Sequence, residues 1–177
     1  MSATRGLFIL NVGFIVHQTI GYSREFPLDA DEVHIHPDLD LIDFHGKVKV
    51  TRTAQGLLVQ VKLQSLVKAE CVRCLDEFNQ YLETDFTELY AFNRNSVTDS
   101  GLILPENGKI NLAPVVREEM LLAFPISPVC QPDCNGLCPV CGENQNQNRC
   151  NHDDPDADLR LDALKTLREN DDHPSLS

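Results

Sequence analysis

The sequence contains no tryptophan, few aromatic side chains and no long apolar run. Aromatic residues make up 6% of the 177-residue chain. The apolar stretch near residues 7–20 is interrupted by Asn11, Gly13 and His17, so it falls short of the ~18 apolar residues of a membrane span. No small-residue cleavage site follows it, which argues against a secretory signal peptide. We therefore expect a cytoplasmic protein that does not contact a membrane.

The motifs of several enzyme classes are also missing. Neither G-x-x-x-x-G-K nor G-x-G-x-x-G occurs, so the usual phosphate-binding loops are absent. No histidine is followed by x-Glu and there is no His-Glu-x-x-His, so the signatures of zinc deaminases and zinc proteases are not met. The six histidines and the carboxylates form no catalytic group that can be seen in the sequence. We expect a protein that is not an enzyme and has no evident small-molecule substrate.

The cysteines are the most distinctive residues of the chain. Six possible soft-metal ligands have the spacing Cys130-x3-Cys134-x3-Cys138-x2-Cys141-x8-Cys150-x-His152. Gly142 follows the Cys138-x2-Cys141 pair, so two thiolates can reach one ion from a tight turn. A second pair, Cys71-x2-Cys74, lies upstream. These eight side chains are enough for two tetrahedral zinc sites, and Zn²⁺ is the expected cofactor.

The eight ligands can be grouped in two ways. In the first grouping, one ribbon-like site consists of Cys138, Cys141, Cys150 and His152, and the second consists of Cys71, Cys74, Cys130 and Cys134. In the alternative, one site consists of Cys130, Cys134, Cys138 and Cys141, and Cys150 and His152 are spare. We favour the first grouping, although the spacing does not decide between the two.

The excess of thiolates favours closed, structural sites over an open catalytic site. Because few large apolar residues lie between Cys130 and His152, metal binding is expected to supply the folding free energy of this segment. Disulfides are the alternative, which a reducing cytosol and an odd number of cysteines disfavour. A redox dithiol at Cys71 and Cys74 would normally open a helix, and His152 alone could be a surface histidine.

Alternating apolar residues predict strands in the first part of the chain. Residues 8–16 alternate and are predicted to form one strand, whereas the acidic, broken segment 21–37 is expected to be loop with short extended pieces. The alternation of residues 47–51 and 57–64 around a short glycine-containing connection predicts a β-hairpin. A third strand is expected to begin near Ser65.

Later segments extend this meander and add helices. The apolar residues of 78–90 are spaced by four, which fits a strand or a helix, and we favour the strand. Asn111 is the expected N-cap of a helix over 112–124, and Pro114 lies in its first turn, where the missing N–H is tolerated. A short helix is also predicted over 158–169.

These elements predict an α+β fold, a strand-rich antiparallel meander with one or two short helices and a C-terminal zinc-ribbon-like lobe. The predicted domains are a mixed β body over 1–125, a cysteine-rich zinc lobe over 126–155, and a short helix with a frayed tail over 156–177.

Basic residues are concentrated in one part of this acidic chain, which has a formal net charge of −12. Residues 44–74 carry six basic side chains and one acidic side chain, whereas 1–43 and 75–177 have net charges of −5 and −12. Such segregation is typical of a surface with two faces. The plainer alternative is that half of the bases line the wet side of a sheet.

Three short segments together resemble the YceD family, whose members are described as large ribosomal RNA subunit accumulation proteins. They are Glu70-Cys71-Val72-Arg73-Cys74-Leu75, Leu112-Ala113-Pro114-Val115-Val116-Arg117-Glu118 and Cys134-Asn135-Gly136-Leu137-Cys138-Pro139-Val140-Cys141-Gly142. The segment Asp158–Leu164 is similar to the family's closing Asp-Pro-Arg-Leu-x-x-Leu. Two departures are Cys150-Asn151-His152, where the family usually ends its cysteine lobe in Cys-x-Cys, and Leu159 in place of proline. Some members lack the C-terminal cysteines.

The resemblance implies a role in the synthesis, processing or stability of 23S ribosomal RNA, and hence in assembly of the large subunit. Phosphate binding needs clustered lysine and arginine, and the candidate RNA contacts are Lys47, Lys49, Arg52, Lys62 and Arg73. Lys47, Lys49 and Thr51 alternate, so they share one face of a strand. The acidic remainder favours basic ribosomal proteins as partners equally well.

We therefore expect a non-catalytic ribosome-biogenesis factor that contacts 23S rRNA, a large-subunit precursor or basic ribosomal proteins. A zinc-stabilised adaptor for a partner outside the ribosome is the first alternative. A zinc-dependent enzyme acting on RNA or nucleotides is the second, and it would need an open coordination site.

Overall fold

The computed structural model describes residues 4–98 and 100–150, and their contacts divide them into two units. The first unit, here called the body, consists of residues 4–72 and 76–132. The second unit, here called the lobe, consists of residues 73–75 and 133–150. The predicted domain boundaries stay a prediction, as does the helix over 158–169, which lies outside the described residues.

Within residues 4–98 and 100–150, the helices and strands all lie in the body. The helices are α1 Thr4–Leu7, α2 Gly13–Val16 and α3 Ala113–Ala123, with a 3₁₀ turn at Arg94–Ser96. The strands are β1 Ile9–Asn11, β2 Ser23–Ile35, β3 Leu39–Arg52, β4 Gly56–Glu70, β5 Glu77–Ala91 and β6 Lys109–Asn111. None of the described helices is long and apolar enough to cross a membrane.

Four long strands form one antiparallel sheet in the order β2-β3-β4-β5, and β1 pairs with β6 in a small second sheet. The predicted α+β fold with an antiparallel meander is therefore confirmed, and so is the hairpin of β3 and β4. Its connection is closed by Thr53, whose hydroxyl donates to the carbonyl of Gly56 at 2.8 Å. Gly56 is buried there, because the backbone of β5 passes directly beside it.

One face of the large sheet is buried and the other, here called the open face, is exposed. The buried face carries Leu28, Val33, Ile35, Leu39, Leu41, Phe44, Val48, Val50, Leu57, Val59, Val61, Leu63, Leu82, Phe86 and Tyr90. These side chains pack with Phe8, Leu10, Val12 and Ile15 and with Val116 and Met120 of α3. The body thus has one apolar core, which alternate residues of each strand supply.

The prediction of a single strand over 8–16 is wrong. Only Ile9–Asn11 is a strand, and Gly13–Val16 forms one helical turn. The side chain of Asn11 accepts a hydrogen bond from the N–H of Gly13, and the N–H of Ile15 donates to the carbonyl of Val12. The chain therefore buries Ile15 instead of Phe14, which is 42% exposed.

The prediction of a loop over 21–37 is also wrong, because Ser23–Ile35 forms the edge strand β2. Strand β3 supplies its hydrogen-bond partners, and Leu28, Val33 and Ile35 reach the core. Pro27 is tolerated because an edge strand needs no N–H on its outer side.

The expected third strand near Ser65 does not exist as a separate element, since β4 runs unbroken from Gly56 to Glu70. Ser65 is buried within this strand, and its hydroxyl donates to the carbonyl of Ile42 at 2.9 Å. That bond lies beside the irregularity of β3 between Ile42 and His45, where Asp43 has a positive φ of 53°.

The predicted strand over 78–90 and the predicted helix with Pro114 in its first turn are confirmed, whereas the predicted N-cap is wrong. Phe78, Leu82, Phe86 and Tyr90 lie on one face of β5, since a spacing of four is twice the period of a strand. Helix α3 contains Pro114 in its first turn, and Asn111 accepts a hydrogen bond from the N–H of Ala113 at 3.1 Å. The cap position itself is Leu112, one residue later than predicted.

We expect Gly56→Ala to destabilise the body by about 1–3 kcal/mol, because an added methyl group overpacks the β4–β5 pair. A Cβ at this position would lie 2.3 Å from the carbonyl oxygen of Tyr90. Chemical denaturation measures the change in the free energy of unfolding. The control is Gly6→Ala, where a Cβ meets nothing within 4 Å, and equal stability of the two variants would contradict this packing.

Candidate functional site

The lobe contains a tight turn that presents two thiols. The N–H of Gly142 donates to the carbonyl of Cys138 at 2.9 Å, and the N–H of Val140 points to the sulfur of Cys138 at 3.4 Å. Gly142 has a φ of 72°, a left-handed conformation that favours glycine. The turn therefore directs a backbone donor at one thiol and brings Cys141 round towards it.

Cys138, Cys141 and Cys150 form a cluster in which the three sulfur atoms lie within 4.8 Å of one another. The Sγ atoms of Cys141 and Cys150 are 3.7 Å apart. A tetrahedral zinc site with ~2.3 Å Zn–S bonds has edges of about 3.8 Å, so this spacing fits two corners of such a site. The fourth ligand predicted for this site, His152, lies outside the described residues.

The thiols of this cluster differ in their readiness to ionise. Backbone N–H groups of Cys141 and Val140 lower the pKa of Cys138 to about 6. The pKa of Cys150 is raised to about 11, chiefly by its hydrogen bond to Cys138 and also by burial. Because a thiolate is the ligating form of cysteine, the lowered pKa of Cys138 favours this residue as a metal ligand.

The other four cysteines form one close pair in each unit. In the lobe, the sulfur atoms of Cys74 and Cys134 lie within 4.8 Å of each other. In the body, those of Cys71 and Cys130 lie within the same distance. None of the seven cysteines forms a disulfide, and Cys71, Cys74, Cys134 and Cys138 are buried.

Residues 73–75 belong to the lobe because Arg73 is bonded to it. Its guanidinium donates to the carbonyl of Cys134 at 3.0 Å, and its own carbonyl accepts from the N–H of Leu137 at 3.0 Å. Gly136 lies close to Arg73 with a φ of 74°, so a side chain at this position would be strained. These contacts position Cys74 beside Cys134.

The lobe has almost no apolar core. Among its described residues from 133 onwards, those that are buried are Cys134, Gly136 and Cys138. Val140 is 48% exposed, and Leu137 is only half-buried. Ordering such a segment without a ligand is unfavourable, because little apolar area offsets the loss of chain entropy. The cysteine clusters are positioned to hold a metal ion.

Three of the five candidate RNA contacts share the open face of the sheet. Lys47 and Lys62 are directly paired across β3 and β4, and Lys49 lies two residues along on the same face. All three are exposed. Like charges placed directly opposite each other weaken a sheet, so this pair needs a reason other than folding stability.

The remaining two candidates lie elsewhere. Arg52 is half-buried on the other face of β3, where it donates to the carbonyl of Val16 at 2.9 Å and lies 4.4 Å from the centre of the Phe92 ring. These contacts give Arg52 a structural role in the body. Arg73 is in the lobe, where its guanidinium is bonded as described above.

Carboxylates flank the lysines on both sides. Across the rows of the sheet, Glu25 on edge strand β2 pairs with Lys49, and Asp85 on edge strand β5 pairs with Lys62. The ammonium group of Lys62 lies 2.7 Å from Asp85, which raises the pKa of Lys62. The open face is therefore basic along its centre and acidic along its edges.

Two features of this face were not predicted from the sequence. His45 lies between Asp29 at 3.1 Å and Asp43 at 2.8 Å, and hydrogen bonds to them, that to Asp29 first, raise its pKa. Tyr81 is 50% exposed and pairs with Leu66 of β4. Asp29 and His45 are 16 residues apart, so only the register of β2 and β3 brings them together.

An antiparallel sheet body with a cysteine-clustered lobe defines a class of proteins that can hold metal ions structurally. Comparison with known families assigns the chain to one of them: it belongs to the YceD family. The family's description is "Large ribosomal RNA subunit accumulation protein YceD", and its profile matches residues 59–168. This range includes most of β4, all of β5 and α3, and all seven cysteines. The predicted family resemblance is thus confirmed.

Curated relatives of the chain are mycobacterial. Uncharacterized proteins of Mycobacterium bovis and Mycobacterium tuberculosis are each 31% identical over 134 residues, which cover 73% of this chain and 62% of theirs. One of Mycobacterium leprae is 24% identical over 99 residues, covering 54% of this chain and 46% of its own. The chain thus spans about three fifths of the relatives it matches first. No solved structure is found to match it significantly.

We expect Cys138→Ser or Cys141→Ser to lower the metal content of the purified protein and to loosen the lobe, because each variant removes a ligand from the cluster. Hydrogen exchange should speed up in residues 133–150 and stay slow in β3 and β4. Elemental analysis and exchange mass spectrometry measure the two effects. Val140→Ser, in the same turn, is the control and should retain metal. Unchanged exchange in Cys138→Ser would contradict a structural role of the cluster.

Proposed function

We propose that this protein is a non-catalytic factor that supports the synthesis, processing or stability of 23S rRNA and thereby the assembly of the large ribosomal subunit. The family match over residues 59–168 carries this proposal, since the family's description names accumulation of large-subunit ribosomal RNA and no reaction. Action on ribosome precursors is consistent with the cytoplasmic location that we expect.

The cysteines serve in this proposal as a zinc-held scaffold. One site consists of Cys138, Cys141 and Cys150, completed by His152. We assign the other to Cys71, Cys74, Cys130 and Cys134, the grouping that the sequence analysis favours, because four thiolates make up a tetrahedral donor set. Along the chain, two residues separate Cys71 from Cys74, and three residues separate Cys130 from Cys134. When bound, zinc supplies the folding free energy that the apolar residues of the lobe cannot.

The proposed zinc sites each have four protein ligands, which also supports the non-catalytic assignment. Catalytic zinc keeps one position for water and is typically held by three protein ligands. Eight donors for two ions leave no such position. Thiolate-rich sites of this kind are typical of structural zinc.

The RNA contact is assigned to Lys47, Lys49 and Lys62 on the open face. Their ammonium groups lie on neighbouring positions of two paired strands, and no described carboxylate is within ion-pair distance of Lys47 or Lys49. Phosphates of an RNA backbone would relieve the repulsion between Lys47 and Lys62 and release counterions. The acidic edges confine such a contact to the centre of the sheet, which suits a short stretch of backbone.

We expect the double variant Lys47→Gln, Lys49→Gln to bind large-subunit precursor RNA more weakly, because two phosphate contacts are lost. The slope of log K against log salt should become shallower by about 2. The variant leaves the Lys62–Asp85 ion pair intact. Filter binding at several salt concentrations measures the slope, with Lys109→Gln, an exposed lysine of β6, as the matched control.

The same variants test the proposed function in cells. Cells depleted of the protein should contain less large-subunit RNA relative to small-subunit RNA, and the control variant should restore it better than the double variant. Depletion that leaves the amount of large-subunit RNA unchanged would overturn the proposed function.

A further inference from the structure

The two edges of the large sheet are protected differently against pairing with another strand. Edge strand β2 contains Pro27, and its pairing is interrupted at Asp31, opposite Asp43. Both features hinder the addition of a further strand. Edge strand β5 pairs with β4 at every position from Glu77 to Ala91 and contains no proline, glycine or bulge. Of the two edge strands, β2 alone carries features that hinder pairing with a further strand.

Helix α3 packs against β5, but the main-chain groups on the outer side of this strand have no described main-chain partner over most of its length. Ala91 bonds outward, through its N–H to Leu102 at 3.0 Å and its carbonyl to Leu104 at 2.9 Å. From residue 77 to 90, no described main-chain group outside β4 bonds to the strand, and the side-chain amide of Gln80 donates to the carbonyl of Tyr81. Alternate residues of an edge strand direct their N–H and C=O groups outward. β5 therefore offers a long template for another strand.

The charge of this edge selects its partner. β5 carries Glu77, Glu83, Asp85 and Glu88 and no lysine or arginine. Asp85 is paired with Lys62, whereas Glu77 and Glu83 are exposed and have no described cation at ion-pair distance. A second copy of β5 would place four carboxylates against four, which is unfavourable. A strand rich in lysine or arginine would meet complementary charge at Glu77 and Glu83.

We propose that the outer edge of β5 binds an extended, basic segment of another protein by strand addition. Main-chain hydrogen bonds to residues 77–90 supply affinity, and alternate basic side chains beside Glu77 and Glu83 supply selectivity. This binding surface goes beyond the proposed function and requires neither the cysteine clusters nor RNA contact by the lysines. It assigns the basic-protein partner to the edge and leaves the centre of the sheet to nucleic acid.

The test uses a synthetic, acetylated peptide of alternating lysine and threonine, about ten residues long so that it spans most of the edge at ~3.3 Å per residue. The matched control has the same sequence with N-methyl groups on alternate amides, which keeps the charge and removes one edge of hydrogen bonds. We expect the unmethylated peptide to bind about tenfold more tightly and to slow hydrogen exchange in residues 77–90. Equal binding of the two peptides, no binding, or protection of Ser23–Ile35 instead would overturn the proposal.

Variants separate this edge from the rest of the surface. Glu77→Lys with Glu83→Lys should weaken binding of the unmethylated peptide about tenfold, whereas Glu25→Lys, an exposed carboxylate on the other edge strand, should leave it unchanged. Circular dichroism checks the folding of the variants. If the double variant misfolds, the proposal is tested by comparing the binding of methylated and unmethylated peptides to the unsubstituted protein. Protection of residues 77–90 by an oligouridine in place of the peptide would assign the edge to RNA and overturn the proposal.

Discussion

The constraint on which the proposed account depends is the small apolar core of the lobe, whose cysteine clusters are positioned to hold a metal ion. Its buried described residues from 133 onwards are two cysteines and a glycine, so burial of apolar area cannot offset the entropy of ordering its turns. Hydrogen bonds such as that from the N–H of Gly142 to the carbonyl of Cys138 define the turns. Their net contribution to stability is small, because the same groups bond to water in the unfolded chain. Sulfur atoms that can reach one metal ion would provide a stronger constraint, because metal binding contributes directly to folding free energy.

The body needs no such device. Its four long strands alternate between a continuous apolar core and an exposed face, and α3 covers part of the core through Val116 and Met120. Stability and function can therefore be divided between the two faces of one sheet. The like-charged pair Lys47 and Lys62 and the unblunted edge β5 are both features that folding alone disfavours. Such departures from local consistency concentrate at binding surfaces.

Much of this arrangement could be predicted from the sequence where one period or spacing dominates. The alternation of β3 and β4 predicts their hairpin, and Cys138-x2-Cys141-Gly142 predicts a thiol turn. Prediction fails where tertiary pairing overrides local pattern. The acidic segment of β2 becomes a strand because β3 supplies its partners, and Asn11 ends β1 early by bonding to Gly13. The cluster of Asp29 and Asp43 around His45 depends on strand register, which composition does not encode.

The zinc content of the purified protein, measured by native mass spectrometry without chelator, tests the central claim most directly. Two groups of cysteines predict two zinc ions per chain, and stripping them should abolish slow hydrogen exchange in residues 133–150 while the sheet stays protected. A metal-free protein whose lobe remains fully protected from exchange would contradict the account.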